Sequence, residues 1–223
     1  MLHYLSIPSK PMRAVTLPDS TSAETMKLPI MEMFDTLQGE GFHTGKAAYF
    51  IRTAGCDVAC HWCDVKASWD ASTHPTLPFE KILAAVESSN AEIVVITGGE
   101  PLMYDMDVLC AFISEKGKKV HLETSGVYKL TGDFDWICFS PKKFKKPKEE
   151  YYKKAQELKV VIYHPNDLEW AEEHAAKMHR DARLYLQPEW SRRDQIMPMI
   201  VDHIRANPRW RISLQTHKYL NIP

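Results

Sequence analysis

The strongest constraint on the fold is a recurrence of short, almost continuously apolar runs rich in β-branched and aromatic residues. They fall at 47–53 (AAYFIRT), 92–97 (EIVVIT), 120–124 (VHLET), 136–140 (WICFS), 160–163 (VVIY), 183–187 (RLYLQ) and 211–215 (RISLQ). Several do not alternate apolar with polar, which is how a strand reads when both faces are covered, as in a parallel sheet. Helical periodicity lies between some of them. Residues 78–89 put Phe79, Ile82, Leu83 and Val86 on one face, and 106–116 group Val108, Phe112 and Ile113. Residues 168–178 and 195–206 are two further helix candidates. The alternation predicts βαβ units in an α/β domain. Seven strands are one fewer than a closed eight-stranded barrel needs, and the chain is short for one. A partial, open, reduced TIM-like barrel is therefore expected.

The chain has 223 residues, 44% of them hydrophobic, enough for one domain with a real core. Lys plus Arg is 28 against 29 for Asp plus Glu, so there is no global nucleic-acid footprint. No apolar run is long enough for a membrane helix or a secretory signal, which points to a cytoplasmic protein with reduced cysteines. Residues 1–25 hold Pro8, Pro11 and Pro18 and show no helix or strand period. Two readings stand: a flexible extension, or a misassigned start upstream of Met26. The folded domain is then 26–223. The lysine-rich run 142–154 reads as a solvated loop and helix start, with anion steering the lesser reading.

Cys56, Cys60 and Cys63 stand in GCDVACHWCD, a C-x3-C-x2-C spacing. Three thiols that close converge on something, and converging thiolates repel unless a metal neutralises them. Structural zinc would want a fourth ligand; His61 adjoins Cys60, and Cys110 is far along the chain. A 4Fe–4S cluster held by three cysteines leaves one iron open for chemistry. Cys110 and Cys138 lie in apolar patterns and read as core thiols.

The other chemically suggestive residues follow the strands. Cys56 comes after the first, Thr97-Gly98-Gly99-Glu100-Pro101 ends the second, and Glu123-Thr124-Ser125-Gly126 ends the third. Ser140-Pro141-Lys142 ends the fourth, Gln187-Pro188 the sixth, and Gln215-Thr216-His217 the seventh. Sites of parallel α/β folds gather at the carboxyl ends of strands, so these motifs point to one mouth. Paired glycines in TGGEP let backbone approach a ligand closely. Gln38, in FDTLQGEG, has a donor and an acceptor and suits the edge of a flat heterocycle. Arg52 is a charge within a buried strand and needs an anionic partner, for which a substrate carboxylate would serve. The apolar ending QTHKYLNIP predicts a docked end that places the Pro223 carboxylate in the site.

The C-x3-C-x2-C spacing resembles the signature of the radical S-adenosylmethionine (SAM) enzymes. EMFDTLQGEG, FIRTAGCDVACHWCD, VVITGGEP, LETSG, SPK, LQP and LQTHKYLNIP together resemble the 7-carboxy-7-deazaguanine synthases of that superfamily, from about Lys27 to Pro223. The resemblance implies a radical SAM barrel and a homodimer acting in queuosine or other deazapurine biosynthesis. It implies a 4Fe–4S cluster whose open iron chelates SAM, and an electron donor such as flavodoxin or ferredoxin. The substrate would be 6-carboxy-5,6,7,8-tetrahydropterin, converted to 7-carboxy-7-deazaguanine with loss of ammonia by a deoxyadenosyl radical. By matching position, Cys56, Cys60 and Cys63 would bind the cluster. Trp62, Asp64, Gly99, Ser140, Pro141, Lys142 and Gln187 would line the SAM side. Leu37, Gln38, Gly39, Arg52, Thr97, His217 and Pro223 would line the substrate side. The family's Mg²⁺-binding Thr or Ser is replaced here by Val65, which has no side-chain oxygen, so a weak Mg²⁺ response is expected. Ser68 is the nearby hydroxyl that could substitute. The alternatives are an activating enzyme for a glycyl-radical protein, which shares the cluster motif and TGGEP, and a zinc-stabilised binding module.

Overall fold

The computed structural model describes residues 26–223, so the reading of the first 25 lies outside it. Every apolar run forms a strand. β2 (Ala47–Thr53), β4 (Ile93–Gly98), β5 (Lys119–Thr124), β6 (Trp136–Phe139), β7 (Glu157–Ile162), β8 (Arg183–Pro188) and β9 (Trp210–Ile212) pair in that order, each parallel to the next. Two strands escaped the periodicity. β1 (Lys27–Leu37) lies antiparallel to β2, and β3 (Thr76–Pro78) antiparallel to β1. The sheet order is β3-β1-β2-β4-β5-β6-β7-β8-β9, open at both ends among the described residues. β1 is paired with β3 at Lys27–Pro29 and with β2 from Ile30 onward. With one partner at a time it tolerates Pro29, which would disrupt a doubly paired strand.

Helices cover the outer face. α1 (Phe79–Ser88) buries Phe79, Ile82, Leu83 and Val86, the four residues its period singled out. α2 (Asp107–Glu115) buries Leu109, Cys110 and Ile113. Its contact face is thus rotated from the expected one, with Val108 and Phe112 only at its margin. α3 (Glu150–Lys154) precedes β7, α4 (Asp167–Ala175) links β7 to β8, and α5 (Arg193–Ala206) links β8 to β9. α6 (Thr216–Leu220) follows β9.

The strands show which side faces what. On β7, Leu158, Val160 and Ile162 are wholly buried against the helical layer. Truncating Leu158 or Ile162 to alanine would cost ~2–5 kcal/mol. Glu157, Lys159 and Val161 point the opposite way, into the lumen that the curved sheet encloses. Cys110 and Cys138 are buried thiols, as their apolar contexts predict.

Candidate active site

A cavity of about 530 Å³ opens at the carboxyl ends of the parallel strands. One wall is the loop after β2. Ala59 has a φ of 55°, an uncommon left-handed conformation for a residue with a Cβ, and Cys63 N donates to Cys60 O at 2.9 Å. These turns bring Cys56, Cys60 and Cys63 onto the cavity wall. Burial pushes the Cys60 thiol up to about 11; Lys142 opposes the shift, and Cys63 and Cys56 add to it. Burial likewise raises Cys56. Thiols that raise one another's pKa in a dry pocket become ligands only where a cationic centre replaces their protons. Among the described residues, no three His, Cys, Asp or Glu side chains are arranged to hold a single metal ion. The three cysteines line the cavity from successive points of one loop, a thiol set that would suit a polynuclear group.

The glycines of TGGEP explain how β4 meets this loop. A Cβ on Gly99 would lie 2.2 Å from Gly55 O and 2.9 Å from Cys56 Cβ. Only glycine lets the strand end pack this closely beneath the cysteines. Glu100, the next residue of the TGGEP motif and one the sequence assigns no role of its own, is 1% exposed. Its carboxylate accepts from Leu102 N (3.2 Å), Thr124 Oγ1 (2.7 Å), Ser125 N (2.8 Å) and Ser125 Oγ (2.5 Å). One buried carboxylate thus ties the ends of β4 and β5 together, and with them TGGEP and ETSG.

Most of the residues singled out in the sequence meet in this cavity. Leu37, Gln38 and Gly39 contribute from the end of β1, Arg52 from β2, and Thr97 and Gly99 from β4. Trp62, Asp64 and Val65 come from the cysteine loop, Ser140 and Lys142 from beyond β6, Gln187 from β8, and His217 and Pro223 from the last segment. Pro141 is the exception: it is buried, but off the cavity wall. Lys142 donates to Ser140 O and Oγ, both at 2.6 Å, and lies 5.8 Å from the centre of the Trp62 ring. Burial lowers its pKa. The rest of the lysine run through Lys154 is largely at the surface, as a solvated segment should be.

The last segment is docked. Thr216 N and Oγ1 both donate to Gly39 O at 2.9 Å. Lys218 Nζ and Gln215 Nε2 donate to Asp64 at 2.7 and 3.2 Å. Thr36 Oγ1 donates to Pro223 O at 3.0 Å. Gly39 makes room for His217, whose Nδ1 would be 2.2 Å from a Cβ there.

Arg52 already has a protein partner, contrary to the expectation that a ligand must supply one. Its Nε donates to Glu32 at 2.6 Å, from the facing position on β1. Glu32 is 43% exposed, so the pair itself adds little stability. It engages Nε and leaves the terminal nitrogens of the guanidinium for a ligand. Ser68 does not replace the oxygen missing at Val65: it is buried, and its Oγ donates to Val65 O at 2.7 Å.

Three charged lumen residues have no role legible in the sequence, although Glu40 lies in FDTLQGEG and Glu123 in ETSG. Lys159 Nζ donates to Glu40 at 2.5 Å and Glu123 at 2.8 Å, and all three line the cavity floor. A strand read as beginning at residue 160 excluded Lys159; the period-two series Glu157, Lys159, Val161 was the available signal.

The radical SAM superfamily is matched over residues 50–220. A 7-carboxy-7-deazaguanine synthase of Flavobacterium psychrophilum is 55% identical over 88% of this chain and 93% of that protein. That of Escherichia coli K12 is 36% identical over 88% of this chain and the whole of that protein. Among solved structures, the crystal structure of QueE from Escherichia coli has a TM-score of 0.77 and 30% identity, over 87% of this chain and 96% of that one. On these matches, the chain belongs to the 7-carboxy-7-deazaguanine synthase family of the radical SAM superfamily.

Proposed function

We propose that this chain converts 6-carboxy-5,6,7,8-tetrahydropterin to 7-carboxy-7-deazaguanine, releasing ammonia, in queuosine or other deazapurine biosynthesis. The observation that carries this reading is the lining of the cavity. The same cavity is lined by the three cysteines, by Arg52, and by hydrogen-bonding groups suited to a flat heterocycle. Cys56, Cys60 and Cys63 would hold a 4Fe–4S cluster. Trp62, Asp64, Gly99, Ser140, Lys142 and Gln187 would hold SAM beside it. Bound together, these groups supply the one-electron chemistry that begins hydrogen abstraction.

The chain's own residues bind and orient. Arg52, steadied at Nε by Glu32, offers a fork to the substrate carboxylate. Leu37, Gln38, Gly39, Thr97, His217 and Pro223 complete the substrate side. Glu100 fixes the two strand ends between which the reacting groups must align, where small displacements are costly. A homodimer, a flavodoxin- or ferredoxin-like electron donor and a cytoplasmic location belong to the same reading.

Magnesium has a reduced part in this chain, because Val65 offers no oxygen and the Ser68 hydroxyl is turned to a backbone carbonyl. Val65→Thr should raise the stimulation of turnover by Mg²⁺; an unchanged response would refute this part. The main test is anaerobic. Protein with a reconstituted cluster, SAM, a reductant and the pterin should yield 7-carboxy-7-deazaguanine by mass. Deoxyadenosine without any deazaguanine would overturn the reading.

A further inference from the structure

Lys159 is the most enclosed cation of the lumen, with a side chain 6% exposed. It projects from the middle of β7, and its ammonium bridges two carboxylates from distant parts of the chain. Glu40 lies in the loop between β1 and β2, and Glu123 near the end of β5. The surrounding bonds make a small lattice. Gln215 Nε2 donates to Glu40 at 2.9 Å, Gln38 Nε2 to Glu123 at 3.4 Å, and Glu40 N to Gln38 Oε1 at 3.1 Å. Buried charges persist only when paired and hydrogen-bonded, and this arrangement meets both conditions. It leaves the two carboxylates on the cavity wall with acceptor capacity to spare, since each oxygen can take more than one donor.

We propose that Lys159 is a positioning residue that holds Glu40 and Glu123 as a fixed pair of anionic acceptors for the N–H-bearing edge of the heterocyclic substrate. This rests on the pterin reading above. A reduced pterin presents ring N–H and amino groups, which carboxylates accept and neutral carboxylic acids accept poorly. Without the ammonium, two carboxylates in one buried site repel, and one of them takes up a proton. The other titratable and charged groups around the trio are Glu157 on β7, Cys138 on β6, Lys142 beyond it, Asp64 on the cysteine loop and His217 on α6. Burial would raise Glu40, but the Lys159 charge and hydrogen bond, with Gln215, bring it down to about 2. Glu40 is therefore anionic throughout the neutral range.

The test uses cluster-loaded protein and the variants Lys159→Met and Lys159→Arg. Lys159→Met should raise KM for the pterin roughly tenfold or more near neutral pH, the scale of a charged hydrogen bond. The defect should shrink as pH rises and the protonated carboxyl ionises, a dependence that a loss of packing alone would not produce. Lys159→Arg keeps the charge and should bring KM most of the way back. Infrared spectra of the ligand-free protein should show one more titrating protonated-carboxyl band in Lys159→Met than in the wild type, where Glu157 supplies one of its own. If Lys159→Met folds poorly, Lys159→Gln, neutral but polar and of similar reach, keeps both carboxylates and carries the same two readouts. Wild-type KM at every pH with no new carboxyl band overturns the proposal, as does a Lys159→Arg protein as impaired as Lys159→Met. The infrared measurement needs no turnover. A wild type that fails to convert the pterin therefore breaks the functional reading, while the spectra still decide whether Lys159 sets the charge of the pair.

Discussion

Glu157 and Lys159 stand two residues apart on β7, face the same lumen, and are held in opposite electrostatic states. At the cavity end, burial works against the charge of Lys159, and the anionic groups around it outweigh burial. Cys138 heads those groups, but burial keeps it a thiol well above its ordinary range, so Glu123 and Glu40 supply the stabilising charge. At the far end, burial pushes Glu157 up to about 7, against the pull of Lys159 and with a further push from Glu123. Phe42 N and Trp136 Nε1 donate to it at 3.2 and 3.0 Å. Burial also lowers His43 to about 4 and His121 to about 3, and their rings lie 4.5 Å apart. One lumen thus keeps charge where a substrate would sit and suppresses it where aromatic side chains plug the opposite end. The lesson is that counterions decide the outcome: Lys159 has two short partners, whereas Glu157 has only neutral donors within hydrogen-bond reach.

If the two ends do separate jobs, changes at the cavity end should act on turnover and changes at the far end on stability. The largest effect should come from Glu100→Gln, which strands donors that now share one buried carboxylate. A kcat/KM loss of roughly 10- to 100-fold or more is expected, together with a lower Tm. Full activity would show that the strand ends do not need this tie. Next, Arg52→Met should lower kcat/KM for the carboxylated pterin by roughly 10- to 100-fold with Tm little changed. A pterin lacking the carboxylate should not distinguish the variant from the wild type; equal losses on both substrates would remove the fork from Arg52.

The smallest effect on turnover should be that of Glu157→Gln. The folded pKa of Glu157 is raised from 4.5 to about 7, so its contribution to stability is complete below about pH 4.5 and is lost as pH rises through about 7. Glutamine stays neutral, so the variant should gain stability relative to the wild type across that window, by up to about 3 kcal/mol. The measurement is Tm against pH for both proteins. His43 and His121 run the other way: with depressed pKa values, they lose stability as pH falls below about 6.5. A Glu157→Gln enzyme as slow as Arg52→Met would break the separation of the two ends.

Legibility followed burial. Strands covered on both faces read directly as apolar runs, so the seven parallel strands were visible and the open barrel with them. β1 was not, because half-exposed strands with Pro29, Glu32 and Asp35 lack that signal. The site was visible as motifs at strand ends. Its internal wiring was hidden: the partner of Arg52 depends on the β1–β2 register, and that of Glu100 on how β4 and β5 end side by side. Pro141 shows the converse, a motif residue whose neighbours reach the wall while its own ring does not.

By itself the sequence determined the strand–helix alternation, the three cysteines of one loop, and the motifs that identify the family, because each depends on residues close together in the chain. Only the tertiary structure decided which charges share the lumen. Glu40, Glu123 and Lys159 lie far apart along the chain and meet within hydrogen-bond distance only when the sheet curls. A buried charge takes its state from whatever neighbour the fold brings to it.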